Sequence, residues 1–88
     1  MEDRIALKVV TAEGVVLERR VNYVSIPTPD GSVGILCDHA PMLCAVGKGN
    51  VRCRFDGTQT DSVAVSGGVA SVENNKLVIL AETKNTAE

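Results

Sequence analysis

Eighty-eight residues, 44% hydrophobic and 23% charged with a net charge of −2, describe a single small domain over 1–88 with one modest core. Two aromatic residues, Tyr23 and Phe55, and nine Lys and Arg against eleven Asp and Glu exclude a base-stacking platform and the basic footprint of a nucleic-acid binder. No apolar run nears the roughly 20 residues that span a bilayer, and Met1-Glu2-Asp3-Arg4 lacks a signal-peptide pattern, so a soluble cytosolic or organellar chain is expected.

Fourteen valines and eight glycines with little helical periodicity predict an all-β fold. Ile5, Leu7 and Val9 alternate with polar or small neighbours as a half-buried strand. Thr11-Ala12-Glu13-Gly14 supplies a turn, and Val15 to Arg20 returns as a second strand. Val21 to Pro27 makes a third, with Val24 and Ile26 on one face. Pro27-Thr28-Pro29-Asp30-Gly31 breaks it, with Asp30-Gly31 as the hairpin turn pair, before a short strand from Val33 to Leu36.

Cys37-Asp38-His39-Ala40-Pro41 reads as an irregular loop, followed by a strand from Met42 to Val46. Gly47-Lys48-Gly49-Asn50 reads as a tight turn, and Val51 to Phe55 as the cleanest alternation in the chain. That strand is expected to pair, across Asp56-Gly57-Thr58-Gln59-Thr60, with Ser62 to Val65. Ser66-Gly67-Gly68 marks a bulge or corner where backbones approach closely. Val69 to Val72 and Lys76 to Ala81 form a last hairpin around Asn74-Asn75, and a frayed tail is expected over 83–88. Nine or ten short strands at this spacing predict a flattened ten-stranded β-sandwich or barrel.

Candidate chemistry is sparse. His39 is the only histidine, two residues from Cys37, but no second histidine or glycine-rich oxyanion nest completes a nucleophilic site. Cys37, His39, Cys44 and Cys53 offer four metal ligands on paper, without the paired-cysteine spacing of a zinc site. Cys53 shares the apolar parity of Val51 and Phe55, which makes it core filler. Gly47-Lys48-Gly49 lacks the spacing of a phosphate loop, and Ser66-Gly67-Gly68 is not a nucleophile elbow. No catalytic residue, cofactor or metal is therefore expected. A β domain without such equipment works by presenting a surface to other proteins. One alternative is a biotinyl- or lipoyl-like carrier module with a modified Lys48 at a hairpin tip, although Gly47 and Gly49 do not match either lysine motif.

Four stretches in order resemble the epsilon subunit of the rotary F-type ATP synthase, called delta in mitochondria. They are Leu7-Lys8-Val9-Val10-Thr11-Ala12-Glu13-Gly14; the block from Pro29 through Gly34-Ile35-Leu36 and His39-Ala40-Pro41 to Leu43; Val46-Gly47-Lys48-Gly49-Asn50-Val51-Arg52; and Val65-Ser66-Gly67-Gly68-Val69 with Leu77 to Glu82. The resemblance runs from about Leu7 to Thr83. Cys37 and Asp38 stand where the family pattern has Pro-Gly before the histidine, and Ala70 and Ser71 also depart from the commoner residues of their strand. Typical members continue into a C-terminal pair of helices, so the resemblance covers the β portion.

The resemblance implies a ten-stranded β-sandwich at the base of the rotor's central stalk, non-catalytic, coupling rotation of the c-ring to the gamma subunit and the catalytic head. It places Thr11, His39, Ala40, Pro41 and Met42 toward gamma, and Asp30, Gly31 and Ser32 toward the polar loops of the ring. It also implies no nucleic acid, contact with a membrane only through the complex, and a place at the cytoplasmic face of a bacterial cell membrane or at an organellar inner or thylakoid membrane.

Overall fold

Alternation of apolar and polar residues turns into seven β-strands in the computed structural model, which describes residues 4–55 and 59–82. They are β1 (Ile5–Thr11), β2 (Gly14–Val21), β3 (Tyr23–Thr28), β4 (Gly31–Leu36), β5 (Met42–Arg54), β6 (Thr60–Glu73) and β7 (Lys76–Glu82). Of the expected Asp56–Thr60 connection, residues 56–58 lie outside the described residues, as does the tail 83–88, and Thr60 already belongs to β6. The strands hydrogen-bond in the order β2-β1-β7-β6-β5-β3-β4. Only β1 and β7 run parallel; every other neighbouring pair is antiparallel.

This single sheet is folded over on itself. Ile5, Leu7 and Val9 of β1 and Leu77, Ile79 and Ala81 of β7 share one buried cluster with Val24 and Ile26 of β3 and Ile35 of β4. All seven strands contribute to that cluster, and no polar side chain is buried among the described residues. A flat sheet cannot bring its second strand and its last strand onto one core. The fold is therefore all-β and sandwich-like, as predicted. Full burial of each Val, Leu or Ile is worth about 1.5–3 kcal/mol, so the cluster dominates the stability of a chain this short.

Among the described residues there are seven strands rather than the nine or ten expected, and two of the missing breaks lie at glycines. Gly47-Lys48-Gly49-Asn50 is not a turn: β5 runs through it without interruption, and so does β6 through Ser66-Gly67-Gly68. The register stays constant across the bend, with Val46 opposite Gly68 and Lys48 opposite Ser66. Positive φ at Gly68 (139°) lets the ladder change direction without slipping. A Cβ at Gly68 would lie 2.1 Å from the Leu80 carbonyl oxygen, and one at Gly47 would lie 2.9 Å from the Thr28 carbonyl carbon. Two predicted strand pairs thus merge into one long bent ribbon, and Lys48 sits exposed in mid-strand. Without a hairpin tip for Lys48, the carrier-module alternative loses its geometry.

The remaining turns follow the sequence closely. Asn74 and Asn75 both take positive φ (53° and 61°), the backbone that a two-residue hairpin between twisted strands requires. β3 continues through Pro27 and Thr28, inside the expected breaker, and the β3–β4 hairpin closes at Thr28 opposite Gly31, so its turn is Pro29-Asp30, one residue earlier than the expected Asp30-Gly31 pair. Between β2 and β3 the chain crosses from one half of the sandwich to the other through Asn22, whose N–H donates to the Arg54 carbonyl at 2.7 Å. Arg19 helps to pin that crossing: its guanidinium stacks 4.0 Å over the Phe55 ring and lies 4.0 Å from the Asp61 carboxylate.

Candidate functional site

Neighbours across a sheet ladder point to the same side, so the register reveals what each face displays. Ala45 of β5 pairs with Val69 of β6, Val69 with Leu80 of β7, Leu80 with Val10 of β1, and Val10 with Val15 of β2. This row faces away from the core. Leu43, two residues from Ala45 on the same side of β5, extends it toward the Cys37–Pro41 loop. Leu43 is 72% exposed, Leu80 55%, Val15 52% and Val69 44%. An irregularity between Val9 and Val10 leaves Val16 without a partner in β1, and it too is exposed. Five adjacent strands thus carry an apolar stripe across the outer face of one half of the sandwich. Isolated exposed apolar residues are ordinary; a contiguous row of them marks a docking surface.

The loop residues expected at an interface lie at one end of this stripe. Met42 begins β5 opposite Val72, and its half-buried side chain packs against the core. His39, Ala40 and Pro41 precede it beside the Asn74-Asn75 turn, where Asp38, His39, Ala40, Pro41, Asn74 and Asn75 line a shallow groove of about 380 Å³. The His39 N–H donates to the Leu36 carbonyl at 3.2 Å, and its Nδ1 donates to the Ala40 carbonyl at 2.7 Å. A carbonyl only accepts, so Nδ1 carries a proton in this contact.

Thr11 lies apart from these residues. It ends β1 one position beyond the Val10–Leu80 pair, near the Gly68 bend, whereas His39 lies near the start of β1. Its hydroxyl accepts the Glu13 N–H at 3.1 Å and shapes the β1–β2 turn. The stripe runs between Thr11 and the loop, whereas Met42, next to the outward-facing Leu43, turns its side chain to the core side. Asp30, Gly31 and Ser32 are exposed at the β3–β4 hairpin. They lie at the opposite end of the six-residue strand β4 from His39, a strand about 20 Å long. The structure therefore keeps the two expected contact regions distinct.

The cysteines do not gather around His39. Cys53 is buried in the core, and burial, reinforced by the nearby Asp61 carboxylate, pushes its thiol above the ordinary range. Cys44 packs against the core from β5, and among the described residues no three His, Cys, Asp or Glu side chains come together as a metal group. Arg54 lies over the Tyr23 ring at 5.3 Å from its centroid. Among the described residues no helix is present, and so none is long and apolar enough to cross a membrane.

Sequence reasoning missed Leu43, Val69, Leu80, Val10 and Val15 as surface residues. Their signal was nonetheless present: Met42 to Val46, Val15 to Leu17 and Leu77 to Ala81 are unbroken apolar runs. A strand solvated on one face alternates, and one covered on both faces does not.

Comparison with known proteins gives a consistent picture. Residues 4–87 match the family model described as the beta-sandwich domain of the ATP synthase delta/epsilon chain. The ATP synthase epsilon chain of Maridesulfovibrio salexigens is 41% identical over 87 residues, covering 99% of this chain and 61% of that protein. The epsilon chain of Carboxydothermus hydrogenoformans is 40% identical over 88 residues, covering 100% of this chain and 65% of that protein. The chain thus spans less than two thirds of the length of these relatives. Among solved structures, a chain of the Euglena gracilis mitochondrial ATP synthase F1/c-ring assembly superimposes with a TM-score of 0.84 at 23% identity, over 92% of this chain and 52% of that one. A chain of the Tetrahymena thermophila mitochondrial ATP synthase central stalk and c-ring gives 0.73 at 17% identity, over 89% of this chain and 63% of that one. At those identities the likeness is one of fold.

Proposed function

Because the chain belongs to the family of ATP synthase delta/epsilon-chain β-sandwich domains, we propose that it is a non-catalytic docking module of the central stalk in a rotary ATP synthase. The apolar stripe from Ala45 through Val69, Leu80 and Val10 to Val15 is the observation that carries this reading. Its occupant is the gamma subunit, with Leu43 and the His39–Met42 loop at one end of the contact and Thr11 at the other. Asp30, Gly31 and Ser32, on the far hairpin, meet the polar loops of the c-ring. The domain touches the membrane only through that ring, which in a bacterial complex places it at the cytoplasmic face.

The task in this reading is mechanical. A torque-bearing collar needs a body that does not shear, and distinct faces for its two neighbours. One core shared by all seven strands meets the first need. The separation of the Asp30 hairpin from the His39 loop meets the second. Removing apolar side chains such as Leu43 and Leu80 from water supplies the association free energy, while the polar loops fix orientation.

The direct test mixes the 88-residue chain with a cognate gamma subunit and measures mass and affinity by sedimentation and calorimetry. A 1:1 complex with a negative heat-capacity change, the signature of buried apolar area, is expected. Absence of association at micromolar concentrations refutes the proposal.

A further inference from the structure

We infer that Asn75 is a positioning residue for the His39-Ala40-Pro41 loop, holding it in its docking conformation through a side-chain clamp on Asp38. The inference rests on the proposed function in taking this loop as part of the contact with gamma. Asp38 has φ of 65°, in the left-handed region where a Cβ is unfavourable and where Asp and Asn are the most tolerated side chains after Gly. The resembling family pattern carries Gly at this place, which needs no compensation. Here the carboxylate supplies it.

Both ends of the Asn75 amide are used. The Asp38 N–H donates to Asn75 Oδ1 at 2.5 Å, and Asn75 Nδ2 donates to Asp38 Oδ1 at 3.1 Å. The two residues are 37 positions apart, so the clamp ties the loop to the β6–β7 turn. The backbone of Asn75 is fixed in turn: its carbonyl accepts the Ala6 N–H at 2.8 Å, and its φ of 61° is set by the two-residue hairpin. Asn75 thus joins the start of β1, the β6–β7 turn and the loop. An anchored amide holding an otherwise irregular segment lowers the ordering cost that segment pays on binding.

The geometry defines a test by exchange of partners. Asn75→Asp keeps an oxygen for the Asp38 N–H but sets two carboxylates face to face. Asp38→Asn combined with Asn75→Asp restores one amide and one carboxylate with the roles reversed and the net charge of the pair unchanged. Both types tolerate positive φ, so neither substitution adds backbone strain. Amide hydrogen exchange at Asp38 and His39 in the free chain, and affinity for the cognate gamma subunit, are measured for each variant. In Asn75→Asp the exchange rates should rise about tenfold or more and the affinity should fall about tenfold, on the scale of a hydrogen bond to a charged group. The exchanged pair should recover both to within about threefold.

Unchanged exchange in Asn75→Asp, or no recovery in the exchanged pair, overturns the clamp. Loosened exchange with wild-type affinity overturns the docking role of the loop. Failure of the unaltered chain to bind gamma at all counts instead against the proposed function, so the two ideas fail separately.

Discussion

Gly68→Ala is the sharpest probe of the bend that folds the sheet over. The added Cβ would meet the Leu80 carbonyl oxygen at 2.1 Å, Ala81 Cα at 2.8 Å and the Leu80 carbonyl carbon at 3.0 Å. All three atoms are backbone, and Gly68 is itself paired with Ala81, so no flexible side chain can yield. Holding a non-glycine residue at this φ costs about 1–3 kcal/mol, and forcing atoms into a filled site costs about 1–3 kcal/mol more. The sum, about 2–6 kcal/mol, compares with about 4–13 kcal/mol for the total stability of a domain this size. Tm should fall by about 10–45 °C in thermal unfolding followed by circular dichroism. Gly14→Ala is the internal control: φ there is 112°, but nothing lies within 4 Å of the added carbon. Its cost is the backbone term alone. If Gly68→Ala destabilises no more than Gly14→Ala, the close approach of β6 to β7 is not what holds the bend.

Other predictions follow from the same contacts. Met42→Glu forces a charge against the core and should cost about 1–3 kcal/mol of stability in urea titration, so it reports on folding before it reports on docking; an unchanged midpoint would place Met42 outside the core. The raised Cys53 thiol means the folded chain holds that proton more tightly than the unfolded chain. Stability should therefore be flat below the unfolded thiol pKa of about 8.5 and fall, by at most about 1.4 kcal/mol per pH unit, as pH rises from there through the folded value. Urea midpoints measured from pH 7 to 10 should show this fall in wild type and lose its Cys53 share in Cys53→Val. Arg19→Ala removes the stacking on Phe55 and the half-exposed pair with Asp61, for a loss of about 0.5–1.5 kcal/mol in the same assay.

Much of the fold was legible because local rules settled it. Ile5-Ala6-Leu7-Lys8-Val9 alternates and is a strand with Ile5, Leu7 and Val9 buried. Asn74-Asn75 supplies two residues that accept positive φ and is the turn of the last hairpin. The Gly-rich segments misled because positive φ serves a bent strand as well as a turn. Gly47-Lys48-Gly49 cannot be told from a hairpin tip until Gly67 and Gly68 are known to lie across from it. The parallel pairing of β1 with β7 joins the two ends of the chain and leaves no local mark.

The surface was harder to read. Runs such as Leu77-Val78-Ile79-Leu80 hide the strand period because both faces are apolar, and composition alone does not say which half points outward. Register supplies that: Ile79 faces Ala70 and is buried, while Leu80 faces Val69 and is exposed. The Asp38–Asn75 clamp spans 37 positions and joins two loops, a relation no pattern in the chain encodes.

The affinity of the Leu43→Glu, Leu80→Glu double variant for a cognate gamma subunit tests the docking account most directly. Both side chains are more than half exposed, so Tm should stay within a few degrees of wild type. A charge at Leu80, in the middle of the apolar row, and another at Leu43, toward its loop end, should together raise Kd by about 10²–10⁴-fold. A folded double variant that binds gamma as tightly as the unaltered chain would show that the apolar stripe is not the docking face.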